Sequence, residues 1–251
     1  LAAAQPEPIL SFEGASLTFP NGVEALSNID FALHPGEFVS IVGPSGCGKS
    51  TMLRIASGLL AHSSGTLRAD RSGVAFTFQD ATLLPWRTVQ DNVELLLELR
   101  KIAPEERRRI AQDKLALVGL AGFEQVYPKQ LSGGMRMRAS LARALTVEPQ
   151  LFLFDEPFGA LDEMTRERLN DELQALHARQ GFAGLFVTHS VAEAVILSDR
   201  VVVMSPRPGR IVASFAVDLP RLRDDAVRYS AQFAELCGEV SAALRGAGGD
   251  I

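Results

Sequence analysis

The chain has 251 residues, 47% of them hydrophobic, and a formal net charge of −5. That length allows one large domain or two small ones with ample core, the apolar content excludes disorder, and the acidic balance gives no global basic surface for nucleic acid. Two cysteines, Cys47 and Cys237, make neither a disulfide framework nor a metal-ligand spacing, and no apolar run of about twenty residues is present to span a bilayer.

Leu1–Pro8 has no basic start and no long apolar core, so it reads as a flexible tail rather than a signal peptide. Ile9–Phe19 alternates apolar and polar residues, the period of an edge strand. Asn21-Gly22 signals a hairpin turn, and Ala25–Leu33 returns as a second strand. Phe19 stands where an aromatic ring either stacks on a nucleotide base or packs the strand edge. Pro35-Gly36 turns the chain into Glu37–Val42, a buried strand.

Gly43-Pro44-Ser45-Gly46-Cys47-Gly48-Lys49-Ser50-Thr51 follows and fits G-x-x-x-x-G-K-[ST], the phosphate-binding loop. Its glycines let successive backbone N–H groups face phosphate oxygens without Cβ clashes. Lys49 is placed to reach the β- and γ-phosphates, and the Ser50 hydroxyl to ligate Mg²⁺. Ser50–Ala56 reads as the helix that points its positive N-terminus at the same charge. The loop by itself means a nucleoside triphosphate and leaves kinases, GTPases and motors open. Cys47 is either a reactive thiol or a small residue at a tolerant loop position, the second reading being preferred.

Gly58 and Ser63-Ser64-Gly65 break the chain, and Val74–Phe78 is a short strand ending at Gln79. After Leu83-Leu84-Pro85-Trp86, Thr88–Arg100 and Pro104–Val118 read as helices, with Thr88 and Asp91 as cap residues. The mixed-charge run Glu105–Arg109 is a solvated helix face. Leu131-Ser132-Gly133-Gly134-Met135 opens a helix through Ala144. Leu151–Phe154 is a strand buried on both faces that ends in Asp155-Glu156. Thr165–Arg179 is helical, Gly184–Thr188 is a strand ending at His189, Val191–Leu197 a helix, Arg200–Met204 and Ile211–Val217 strands, and Asp224–Leu244 a helical tail.

Alternating strands and helices predict an α/β fold with a mostly parallel sheet, preceded by an antiparallel β part, and interrupted by a helical insertion from about Pro85 to Glu148. Ligands gather at the carboxyl ends of parallel strands. The phosphate loop, Gln79, Asp155, Glu156 and His189 all fall there. Asp155 suits Mg²⁺, and Glu156 suits orienting or deprotonating the attacking water. Gln79 is placed to reach the metal or that water, and His189 to bond the γ-phosphate. Ser132-Gly133-Gly134 at a helix N-terminus is a second anion site. One phosphate cradle already exists, so the second makes sense when it meets the nucleotide of another copy, in a head-to-tail dimer.

This order of motifs resembles the ATP-binding cassette (ABC) family over nearly the whole chain. Gly43–Thr51 matches the family's Walker A, Gln79 its Q-loop glutamine and Leu131–Met135 its signature. Leu151–Glu156 matches Walker B with the catalytic glutamate, Ala160-Leu161-Asp162 the D-loop, His189 the switch histidine, and Phe19 the base-stacking aromatic. The resemblance implies a P-loop NTPase core with an ABC ATPase domain over 9–217, made of a core (9–84 and 149–217) and a helical subdomain (85–148), then a C-terminal helical tail (218–251). It also implies ATP with Mg²⁺, a dimer enclosing two ATPs whose nucleotide-binding residues include Asp162 and the signature's Ser132, Gly133 and Gly134, and a location at the cytoplasmic face of the plasma membrane.

Leu83–Trp86, Met135-Arg136 and Arg207-Pro208-Gly209-Arg210-Ile211 look like bacterial importers of nitrate, sulfonates and taurine. In such systems the cassette docks on separate transmembrane permease subunits, and a periplasmic solute-binding protein delivers the solute. Met135, Met137 and Ser190 depart from the commoner family residues and bear on the dimer contact. A non-transport ABC ATPase of DNA repair or translation is the second reading. The absence of sustained heptads between Walker A and signature, and the single cassette, count against it.

Overall fold

The computed structural model describes residues 6–70 and 73–248. Most of the predicted tail at 1–8 and the last residues of the C-terminal tail lie outside the described residues. Two sheets form. The first is antiparallel and three-stranded, in the order β2 (Glu24–Leu33), β1 (Leu10–Thr18), β4 (Ser64–Ala69). The second has six strands, in the order β5 (Val74–Thr77), β6 (Leu151–Asp155), β7 (Ala183–Val187), β3 (Phe38–Val42), β8 (Arg200–Met204), β9 (Ile211–Ala216). All its neighbours pair in parallel except β8 with β9. The fold is therefore α/β with a mostly parallel sheet and an antiparallel β part, as the alternating pattern predicts.

β3, β6 and β7 are buried at every position. This is why they read as continuous apolar runs, because helices and the first sheet cover both of their faces. Phe38, Phe152, Phe154, Phe182 and Phe186 interlock there, with ring centroids 4.2–6.4 Å apart. Burying each such ring stabilises the fold by roughly 1.5–3 kcal/mol.

Between β5 and β6 run α2 (Val89–Leu99), α3 (Pro104–Leu117) and α4 (Gly133–Leu145). Thr88 caps α2 in a reciprocal box with Asp91, and Pro104 occupies the first turn of α3. The apolar faces of these helices join the same core cluster as Phe152 and Phe154. α1 (Lys49–Ala56), α5 (Glu163–Gln180) and α6 (Val191–Leu197) connect the remaining parallel strands. No helix among the described residues is long and apolar enough to cross a membrane.

Three sequence expectations are corrected. Ile9–Phe19, read as an edge strand, forms β1, which is the central strand of the first sheet with β2 on one side and β4 on the other, because Ser64–Ala69 adds a strand the sequence did not show. The stretch read as a break at Ser63–Gly65 opens strand β4, which pairs with β1 through Phe12↔Leu67 and Leu10↔Ala69. Gly65 makes this possible: a Cβ there would fall 2.4 Å from the Gly14 carbonyl oxygen. The tail read as one helix is two, α7 (Asp225–Arg228) and α8 (Ala231–Gly248). Ser230 sits at the break, its Oγ accepting from the Phe233 N–H at 3.2 Å. Phe233 and Val240 then bury α8 against the main core.

Candidate functional site

The parallel strands deliver four segments to one edge. β3 runs into the phosphate loop, β5 toward Gln79, β6 ends at Asp155, and β7 runs into Thr188 and His189. Asp155 is in register with Val187, so the β6 and β7 ends lie side by side.

In the loop, Gly46 and Gly48 take φ of 74° and 110°, conformations that a Cβ disfavours. Gly48 is doubly constrained, since a Cβ there would meet Leu26 Cδ2 at 2.7 Å and the Ala25 carbonyl at 2.9 Å. It is the N-cap of α1 and offers no side-chain cap, so no capping side chain occupies the N-terminus of that helix, where an anion would bind. Lys49 is buried, with Nζ donating to the carbonyls of Gly43 at 2.8 Å and Pro44 at 3.1 Å. Ser50 Oγ donates to Asp155 Oδ1 at 2.7 Å. Cys47 is buried, and burial pushes its thiol up despite the neighbouring Lys49. This matches the small packing residue rather than the reactive thiol.

Glu156 holds a left-handed backbone, φ 47°, rare for a non-glycine residue and costly by about 1–2 kcal/mol. Its N–H donates to the Val187 carbonyl at 3.0 Å, and its carbonyl accepts from the Gly159 N–H at 3.1 Å. That turn aims the carboxylate between two basic groups. Lys49 Nζ lies 3.9 Å from Oε1, and His189 Nδ1 lies 3.4 Å from Oε2. Burial pushes the Asp155 carboxyl up, opposed by the Ser50 hydrogen bond and by Arg54.

The Ser50 hydroxyl and the Asp155 carboxylate form an all-oxygen donor set. A buried carboxylate of this kind gains from a cation, and Mg²⁺ is held by one or two protein groups plus substrate phosphates. The residues fit that ion.

A cavity of about 200 Å³ opens over the loop, lined by Phe19, Ser45, Lys49, Ser50, Glu156 and Arg207 among others. Phe19 is half-buried against the β1–β2 core. Gln79 is exposed one strand over from Asp155 and does not line this cavity.

Ser132, Gly133 and Gly134 do not line it either. They sit at the start of α4, where Ser132 Oγ accepts from the Met135 N–H at 3.3 Å. Their neighbour is the start of α5, capped by Asp162, whose Oδ1 accepts from the Thr165 N–H at 3.0 Å. That bond holds the Asp162 carboxyl below its usual range. The structure thus gathers Phe19, Gly43–Thr51, Asp155, Glu156 and His189 in one place and Ser132–Gly134 with Asp162 in another.

Sequence reasoning missed several supports. Arg143 of α4 donates to the carbonyls of Ala81 at 3.1 Å and Thr82 at 2.9 Å, fastening the segment after Gln79 to the helical part. Asn92 of α2 pins the next stretch, bonding the Leu84 carbonyl at 3.0 Å and its N–H at 2.7 Å. Thr188 Oγ1 donates to the buried Glu193. Each pairing spans elements and leaves no local signal, except that buried polar residues imply partners.

The ABC transporter family matches residues 26–159. An uncharacterized ABC transporter ATP-binding protein of Methanocaldococcus jannaschii is 47% identical over 86% of this chain and 82% of its own length. The taurine import ATP-binding protein of Rhizobium johnstonii is 42% identical over 88% of this chain and 89% of its own length. The nitrate import ATP-binding protein of a Synechocystis species is 41% identical over 89% of each. A dimeric cassette solved in a post-hydrolysis state with ADP and Pi superimposes with a TM-score of 0.75 at 32% identity, covering 84% of this chain and all of that one.

Proposed function

The chain belongs to the ABC transporter family, and we propose that it is the ATP-binding and ATP-hydrolysing subunit of an importer, powering uptake of a small anion such as nitrate, a sulfonate or taurine. ATP binds over Gly43–Thr51 with its base on Phe19. Lys49 leaves the carbonyls of Gly43 and Pro44 for the phosphates, a nearly isoenergetic exchange of hydrogen bonds that gains charge neutralisation. Ser50 and Asp155, joined by Gln79, would hold Mg²⁺, which would screen the phosphate charge. Glu156 orients and deprotonates the attacking water, and His189 bonds the γ-phosphate and steadies Glu156.

The observation that carries the reading is the separation of the two anion sites. The phosphate-loop cavity opens to solvent, and Ser132-Gly133-Gly134 with Asp162 stands elsewhere on the same chain and does not line it. A second copy, turned head to tail, supplies the missing wall. ATP then closes the dimer by binding the closed state more tightly, and hydrolysis resets it. The solved dimeric cassette supports this assembly.

Residues 85–148 act as the moving helical subdomain within the 9–217 unit. Trp86, 71% exposed on a loop pinned by Asn92, marks the face that receives a permease subunit. The protein then works at the cytoplasmic face of the membrane, and a periplasmic binding protein selects the solute. The names of the taurine and nitrate relatives favour import over the repair or translation reading. The test is steady-state ATPase activity of the chain alone and co-purified with a permease. Turnover that depends on intact Glu156 and responds to the permease is expected; ATPase-silent protein that binds DNA or ribosomes tightly instead would sink the reading.

A further inference from the structure

The turn Ser205–Arg210 between β8 and β9 has no part in the chemistry above, yet it is built against the phosphate loop. The Gly209 N–H donates to the Ala25 carbonyl at 3.0 Å, and the Gly209 carbonyl accepts from the Ser27 N–H at 3.0 Å, so the turn is stitched to β2. A Cβ on Gly209 would fall 2.1 Å from the Cys47 carbonyl oxygen; only glycine lets the turn sit this close to the loop backbone. Ser205 closes the turn, its N–H donating to the Arg210 carbonyl at 2.9 Å and its Oγ accepting from the Arg210 N–H at 3.0 Å. This framework holds Arg207 over the loop. Nε and Nη2 both donate to the Gly46 carbonyl, at 3.3 and 3.1 Å.

We propose that Arg207 is a nucleotide-contacting residue that donates to the phosphate chain of the bound nucleotide while clamping the phosphate loop at Gly46. The guanidinium carries five N–H donors, and Gly46 takes two of these groups' bonds, leaving the rest free. It lines the same cavity as Lys49, Ser50 and Phe19. Lys49 is tied back by Gly43 and Pro44 and faces Glu156, so Arg207 is the cation of this cavity whose fork is exposed to solvent. A planar guanidinium fits phosphate oxygens in a way a lysine does not. The inference rests on the proposed ATP site.

Arg207→Ala and Arg207→Lys would be compared with the unaltered chain by competition against a fluorescent nucleotide, using ATP and adenosine as competitors. We expect Arg207→Ala to weaken ATP about tenfold and adenosine less than about twofold, with Arg207→Lys recovering part of the loss. ATP affinity of Arg207→Ala within twofold of the unaltered chain would overturn the proposal. So would an equal loss for ATP and adenosine, which would make Arg207 a brace for the loop and nothing more. An unaltered chain that binds no ATP would overturn both this and the reading beneath it, whereas ATP binding with an indifferent Arg207 overturns this alone.

Discussion

Glu156 and His189 face each other at 3.4 Å, Oε2 to Nδ1, across the ends of β6 and β7. The other Glu156 oxygen faces Lys49 at 3.9 Å. One carboxylate is thus held between the residue assigned to the γ-phosphate and the residue assigned to the β- and γ-phosphates. Glu156→Gln keeps the shape and removes the base. ATP binding should persist while turnover falls by about 10²–10⁴-fold, the usual contribution of a general base. The closed state should then accumulate, and size-exclusion chromatography with ATP should show a dimer. A chain that stays monomeric under those conditions contradicts the two-copy site.

Lys49 is charged and buried, and its ammonium has carbonyl partners only because the loop folds around it. Lys49→Ala removes the cation assigned to the β- and γ-phosphates. Titration calorimetry should show ATP affinity reduced by tenfold or more, since charge-assisted bonds are about twice as strong as neutral ones. Unchanged affinity would strip the loop of its assigned role.

Glu193 sits behind the catalytic edge, buried on α6, with Thr188 Oγ1 donating to Oε2 and Oε1 without a hydrogen-bond partner. Burial pushes its carboxyl up; Thr188, Arg166 and His189 oppose that, and Glu156 adds to it. The sign follows from the raised value. Below the unfolded carboxyl range, near pH 4.3, the neutral form is present in both states and its contribution is complete. As pH rises through the higher folded value, the proton is lost in a place that disfavours charge, and stability falls. Glu193→Gln stays neutral and can still accept from Thr188. Calorimetry should show its Tm above that of the unaltered chain at pH 7–8, with the gap closing toward pH 4. A gap that widens on acidification would reverse the assignment.

The sequence is most legible where a residue's environment is set by the strand it belongs to. β3, β6 and β7 are apolar throughout because both faces are covered, and their ends carry Lys49, Asp155 and His189 to one edge by topology alone. β4 was hidden because it is an exposed edge strand, and its defining contact, Gly65 against Gly14, joins residues about fifty positions apart. The break between α7 and α8 did leave a local signal in Ser230, a cap residue, but the apolar pattern runs on across it. The backbone turn at Glu156, the grip of Arg143 on Ala81 and Thr82, and the seat of Arg207 on Gly46 depend on distant partners, and no spacing announces them.

Ser132-Gly133-Gly134 has a structural explanation within one chain, and a test must separate it from the two-copy role. A Cβ on Gly134 would stand 2.8 Å from Thr165 Cγ2, and one on Gly133 3.1 Å from Leu161 Cδ2. Small residues are therefore needed simply to seat α4 on α5, and Gly134→Ala should cost about 1–3 kcal/mol from overpacking whatever else the glycine does. Ser132 is the better probe. Its Oγ caps α4 through a 3.3 Å bond, worth about 1 kcal/mol, so Ser132→Ala leaves a folded chain. Its own phosphate loop is untouched, and ATP affinity of the monomer should hold. In the Glu156→Gln background, ATP-driven dimerisation measured by sedimentation should weaken about tenfold, because a charge-assisted contact to the partner's nucleotide is lost. If Glu156→Gln/Ser132→Ala dimerises as readily as Glu156→Gln alone, the serine is a helix cap, and the second anion site has to be sought in the backbone N–H groups of Gly133 and Gly134.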